Sequence, residues 1–249
     1  MAVGSGTDMA LLRTRLDHSS LCHNLYHESA FDKDWRLTGW LLEHPLLKRT
    51  MDDLIANQGT NSQRGLIAEI GSFVGVTFHL FTTDYACRLP ETLFIGVDKG
   101  DYCDSPADTI MNRGFSGVEE RVLFGADTQG ALSLDGVSHA PELRAFQDKN
   151  NPNAFIVYKT SPETLFSPRA TSDLVLMKCM LGYVPLSYVR DVALPMADRV
   201  FIFDYVGRCE MTKLEIPRPE CIEVVLTQAG MSVQMDVGQH YVAIAGARV

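Results

Sequence analysis

Four short runs carry the residues able to do chemistry. Leu66-Ile67-Ala68-Glu69-Ile70 is an apolar run that passes into Gly71-Ser72-Phe73-Val74-Gly75. A glycine just beyond such a strand lets the backbone turn sharply and lets a ligand come close to it. Leu93 to Val97 ends in Asp98, roughly 20 residues further on, where a carboxylate can accept from both hydroxyls of a ribose. Arg121 to Asp127 reads as a third strand, again with a terminal acid; Asp127 there can accept from the exocyclic amine of a base. Leu174 to Met177 is a fourth, followed by Lys178. Parallel strands bring their carboxyl ends to one edge, at the switch point where ligands bind. Three positions then converge on one adenosine-shaped site. Singly, each has a plainer reading: Gly71 and Gly75 as turn glycines, Asp98 and Asp127 as helix caps or loop acids.

The elements that must position these residues follow from the pattern. Strands of continuous apolar character, separated by helical stretches, argue a parallel sheet covered on both faces. Val74 to Cys87 reads as a helix, Val200 to Asp204 as a fifth strand, and Cys221 to Ala229 as a helix stopped by Gly230. Ser232 to Val237 and Tyr241 to Ala247 are joined through Gly238, which makes them an antiparallel hairpin. The expected fold is α/β: a Rossmann-like, seven-stranded, mostly parallel sheet with a terminal antiparallel hairpin. Residues 1–62 read as an N-terminal helical cap containing both tryptophans, Trp35 and Trp40, with a fresh helix starting at Pro45. Residues 63–249 form the core, with an irregular insertion around 129–171. Within it, Ala154 to Tyr158 is an extra strand or part of a helix.

The 249 residues are 46% hydrophobic and 21% charged, a globular composition that excludes general disorder. Twenty-two basic residues against 31 acidic give a formal net charge of −9. That balance argues against nucleic acid or an anionic membrane as partner, since phosphate neutralisation needs clustered Lys and Arg. The six cysteines form no C-x-x-C pair, and no apolar stretch approaches the ~20 residues of a membrane helix. The start of the chain has no basic region followed by an apolar one. The expectation is a cytoplasmic protein that meets a small molecule, with a homodimer left open.

The run from Ala68 to Gly75 resembles motif I of the class I S-adenosylmethionine-dependent methyltransferases. Gly96-Val97-Asp98 is similar to their acidic second-strand end, and Phe124-Gly125-Ala126-Asp127 to their adenine-contacting third-strand end. Asp173 to Met177 resembles their fourth strand, and the terminal hairpin their reversed last strand. The resemblance spans residues 64–249 and implies S-adenosylmethionine as cofactor. Gly71, Ser72 and Gly75 would then turn beneath its methionine part, with Glu69 ordering the loop. Asp98 would hold the ribose and Lys99 follow the adenine. Asp127, with Ala126 or Thr128, would read the adenine amine. Met177 and Lys178 would lie near the reaction centre, Lys178 reading as solvated or ion-paired rather than as a proton carrier. Phe73 stands where this family often has glycine, and would narrow the loop or shield the sulfonium. Gly182-Tyr183-Val184-Pro185 replaces the Asn-Pro-Pro-Tyr pattern of the amino-methylating enzymes of nucleic acids and glutamine.

The implied reaction is methylation of a small-molecule acceptor, oxygen in specialised metabolism being the leading case. His139, in the insertion, is the candidate general base. His79 reads as core packing. His23 and His27, four apart beside Glu28, lack an evident third ligand, so no metal is expected. Two other functions fit the same elements. One is a cyclase or isomerase that uses the sulfonium without transferring its methyl. The other is a nicotinamide-dependent oxidoreductase, which the absence of Gly-x-Gly-x-x-Gly after the first strand disfavours.

Overall fold

The computed structural model describes residues 37–57, 65–72, 75–98, 118–124, 142–148, 151–158, 172–178, 181–182, 185–208 and 215–249. Residues 37–42 are helical. Helix α1, Pro45–Ala56, follows, with proline in its first turn and His44 as its cap; Nδ1 of His44 accepts from the Leu46 amide at 3.2 Å. Helix α2 is Val76–Tyr85 and α3 is Pro219–Gln228. The strands are β1 Gly65–Ile70, β2 Thr92–Asp98, β3 Val118–Phe124, β4 Glu142–Asp148, β5 Ala154–Tyr158, β6 Leu174–Lys178, β7 Arg199–Tyr205, β8 Met231–Val237 and β9 Tyr241–Arg248.

They make one sheet in the order β3-β4-β5-β2-β1-β6-β7-β9-β8. Strands β5, β2, β1, β6 and β7 are mutually parallel. The terminal hairpin β8–β9 joins β7 antiparallel, as its sequence predicts. The Rossmann-like class therefore stands, with nine strands among the described residues where seven were expected. The added pair is at the other edge, where β4 runs antiparallel to β5 and β3 antiparallel to β4.

This corrects the third strand. The place beside β2 belongs to Ala154–Tyr158, not to the run that ends near Asp127. The reason is burial. Ala154, Phe155, Ile156 and Val157 are all buried, as a strand with neighbours on both sides and helices on both faces requires. Val118–Phe124 carries Glu119, Glu120 and Arg121, a composition suited to an edge. The stretch expected as an insertion thus supplies two strands of the sheet.

Helices cover both faces. On one, Phe81 of α2 meets Phe94 of β2 edge-on, and His44 packs among Phe201, Phe203 and Tyr241. On the other, α3 lies against Gly246, whose missing side chain leaves room for Leu226 and Met231. Leu37, Leu41, Leu47 and Met51 are buried in the same core as the strands. The described part of the N-terminal helical region therefore belongs to the body of the fold. No helix among the described residues is long and apolar enough to cross a membrane.

Candidate functional site

In chain order the sheet grows from β1 to β2 on one side and later to β6 and β7 on the other. The gap between the carboxyl ends of β1 and β6 is therefore the switch point, where an open parallel sheet leaves a crevice. The register puts Ile70 beside both Val97 and Met177, so β2, β1 and β6 finish level. Asp98, Gly71 and Lys178 each follow by one residue.

The turn after β1 is fixed by backbone bonds. The amides of Gly71 and Ser72 both donate to the Val97 carbonyl, at 2.9 and 3.3 Å. The Gly75 amide donates to the Ser72 carbonyl at 2.8 Å. Gly71 and Gly75 hold φ of 77° and 85°, the left-handed region that costs other residues most. Gly75 is also the cap of α2 and offers no side chain to its first-turn amides. That helix start faces the crevice with its positive dipole end.

Beneath the turn the packing is tight. Gly96 pairs with Glu69 in register, and a Cβ there would stand 2.6 Å from Ser72 Oγ and 3.2 Å from Phe78 Cδ2. Glu69 is buried on the α2 face of the sheet, and Ser72 Oγ donates to its carbonyl at 3.4 Å. Asp98 is partly exposed at the carboxyl end of β2.

Lys178 is buried rather than solvated. Only 9% of it is exposed, and Nζ donates to Thr38 Oγ1 at 2.9 Å. Thr38 Oγ1 lies 2.9 Å from Thr77 Oγ1, in the first turn of α2. One polar chain thus joins the helix at 37–42, α2 and the end of β6. Asp204, fully buried at the end of β7, accepts from the amides of Leu181 at 3.1 Å and Tyr205 at 2.7 Å. Burial pushes its carboxyl up to about 6, against the lowering effect of those two bonds and of the Lys178 charge.

Glu69, Gly71, Ser72, Gly75, Asp98, Met177 and Lys178 are therefore brought to one sheet edge. Met177 itself is fully buried, so only its backbone borders the crevice. Phe73, Lys99, Ala126, Asp127, Thr128 and His139 lie outside the described residues, as do His23 and His27. Strand β3, which leads toward Asp127, stands three places from β2, roughly 14 Å away at ordinary strand spacing. That corrects the place of the strand itself; Asp127 lies beyond its described end. Sequence reading missed Thr38, Thr77 and Asp204. Asp204 carried the same signal as Asp98, an apolar strand closing on an acid. The two threonines carried none.

No protein-family model matches the chain, and no curated protein matches it in sequence. Solved structures similar to it include an O-methyltransferase family protein from Burkholderia thailandensis, at 14% identity and TM-score 0.43, over 96% of this chain and 70% of that one. Magnesium protoporphyrin IX methyltransferase from Synechocystis, with bound S-adenosylmethionine, is similar at 12% identity and TM-score 0.43, over 100% of each chain. OxaC, in complex with S-adenosylhomocysteine and oxaline, is similar at 11% and 0.45, over 80% of this chain and 46% of that one. At these values the likeness assigns no activity to this chain.

Proposed function

We propose that the chain is an S-adenosylmethionine-dependent methyltransferase acting on a small-molecule acceptor, most simply at oxygen. The observation that carries this reading is the switch-point geometry. Two left-handed glycines and a helix start without a side-chain cap follow β1, and a partly exposed aspartate, Asp98, closes β2. The residues suit the cofactor. The start of the turn is held close to β2 by the Gly71 and Ser72 amides and by the missing Gly96 side chain.

When bound, the cofactor supplies an activated methyl group. The chain's own contribution is chiefly positioning. Asp98 accepts from the ribose hydroxyls. The Gly71–Gly75 turn and the first-turn amides of α2 receive the methionine end. The helix at 37–42, with Leu37 and Leu41 buried, keeps water from the sheet beneath. His139 is our candidate to take the proton from a hydroxyl acceptor, and Lys99 and Phe73 our candidates to line the cofactor. Asp127, with Ala126 or Thr128, is our candidate to read the adenine amine.

The test is calorimetry with S-adenosylhomocysteine. Binding in the micromolar range is expected. Replacing Asp98 with Ala should weaken it by ~1–3 kcal/mol through the lost ribose bonds. No binding at millimolar ligand would remove the reading.

A further inference from the structure

The crevice between β1 and β6 has two walls, the segments that leave those strands, and a single acceptor holds each. The exit of β1 is held by the Val97 carbonyl, which takes the Gly71 and Ser72 amides. The exit of β6 is held by Asp204, the last residue but one of β7. Its Oδ2 accepts at 3.1 Å from the amide of Leu181, just past the end of β6, and its Oδ1 at 2.7 Å from the Tyr205 amide. Asp204 is fully buried, and Leu181 is buried with it. A buried amide needs an acceptor. Leu181 therefore cannot lose Asp204 and keep its place; the backbone must move until its amide meets water or another acceptor.

The two walls differ in one respect. A peptide carbonyl accepts at any pH, whereas a carboxyl group accepts freely with both oxygens only while it is ionised. Both Asp204 oxygens are engaged by N–H donors, so a proton on either one sets a hydroxyl against an N–H. The Leu181 bond, the longer of the two and the one made between strand ends, gives way first. The charge of Lys178 on β6 favours the ionised form, and on β9 the residue opposite Asp204 is the apolar Val242.

Resting on the proposed ligand crevice, we propose that Asp204 is a positioning residue for its β6 wall: the ionised carboxylate holds the Leu181 amide, and with it the segment leaving β6, in the place that admits a ligand. Burial raises its carboxyl to about 6, so the wall is held at pH 7 and released at pH 5.

The probe is S-adenosylhomocysteine, measured by calorimetry on the full chain at both pH values. Wild-type affinity should be about tenfold weaker at pH 5, the size of one charge-assisted hydrogen bond lost in part. Asp204→Asn keeps the shape and never ionises, so it should bind with the weakened affinity at both pH values. Hydrogen exchange of ligand-free wild type gives a second reading that needs no variant. The Leu181 amide should lose protection at pH 5, after correction for the intrinsic rate, while the amides of β6 and β7 keep theirs. A merely structural role would lower protection across both strands together. Wild-type affinity that holds at pH 5, or a fall that persists in Asp204→Asn, would overturn the proposal, as would a Leu181 amide equally protected at both pH values. If wild type bound no S-adenosylhomocysteine at either pH, the cofactor reading would fall, and hydrogen exchange would decide the role of Asp204 by itself.

Discussion

Gly96 and Ser72 approach so closely that no side chain fits between them: a Cβ on Gly96 would stand 2.6 Å from Ser72 Oγ. Ile156 Cγ1 at 3.0 Å and Phe78 Cδ2 at 3.2 Å close the other sides. Ser72 cannot retreat freely, because its amide is held to the Val97 carbonyl. Gly96→Ala should therefore cost about 1–3 kcal/mol, the usual range for overpacking. It should also weaken S-adenosylhomocysteine binding by lifting the turn. Ser72→Ala in the same chain removes the clashing oxygen and should restore part of the loss, a coupling that a double-mutant cycle in urea measures. Additive losses would show that Ser72 is not what Gly96 accommodates.

Thr38 and Thr77 differ in what they hold. Thr38 accepts from a buried ammonium, whereas among the described residues the Thr77 hydroxyl meets the Thr38 hydroxyl. Hydrogen bonds to charged groups contribute ~1.5–3 kcal/mol, neutral ones about 1. Thr38→Val should lower the urea midpoint about twice as far as Thr77→Val, at unchanged slope. Equal losses would mean that Lys178 finds an equivalent acceptor without Thr38.

The parallel core, the terminal hairpin and the glycine turn were legible because each has a local signal: a continuous apolar run, a short glycine connection, a glycine at a strand end. The third strand was misplaced because two runs competed for it. Arg121 to Asp127 reads as a strand closing on an acid, yet the charges of Glu119, Glu120 and Arg121 suit an edge. Ala154–Tyr158 had the composition of a central strand but no acid to draw attention. The burial of Lys178 was not legible for another reason. Its partner Thr38 is 140 positions away, and nothing near Lys178 in the chain announces that a helix will cover it.

Asp204 predicts a pH dependence of stability. Its folded pKa of about 6 lies above the ordinary value of 3.8. A carboxyl raised on folding adds stability that is complete below the unfolded pKa and is lost as pH rises through the folded one. Wild-type protein should lose up to about 3 kcal/mol from this group between pH 4 and pH 6. Asp173, also raised by burial, acts in the same direction, so the informative quantity is a difference. Urea denaturation of wild type and Asp204→Asn across pH 4–7 should give difference curves that slope through this window. Parallel curves would show that Asp204 does not titrate there.

Asn153 makes the sharpest prediction about the strand that displaced the expected third one. Its Nδ2 donates to the carbonyls of Thr92 at 2.7 Å, Leu89 at 3.2 Å and Ala86 at 3.4 Å. One buried amide thus ties the turn after α2, and the start of β2, to the approach of β5. The Phe94 amide donates to the Asn153 carbonyl at 2.8 Å, a bond that any substitution keeps. Asn153→Ala should cost ~1–3 kcal/mol, the penalty for leaving buried carbonyls without a donor. Asn153→Asp keeps the shape but points oxygens at oxygens. It should cost more than alanine at pH 7, about 3–5 kcal/mol, as for an uncompensated buried charge. Its carboxyl pKa must rise, so stability should return as pH falls and the protonated form donates one bond. Urea midpoints at pH 7 and pH 4 test both statements. An aspartate variant as stable as wild type at pH 7 would show that the three carbonyls do not depend on Asn153.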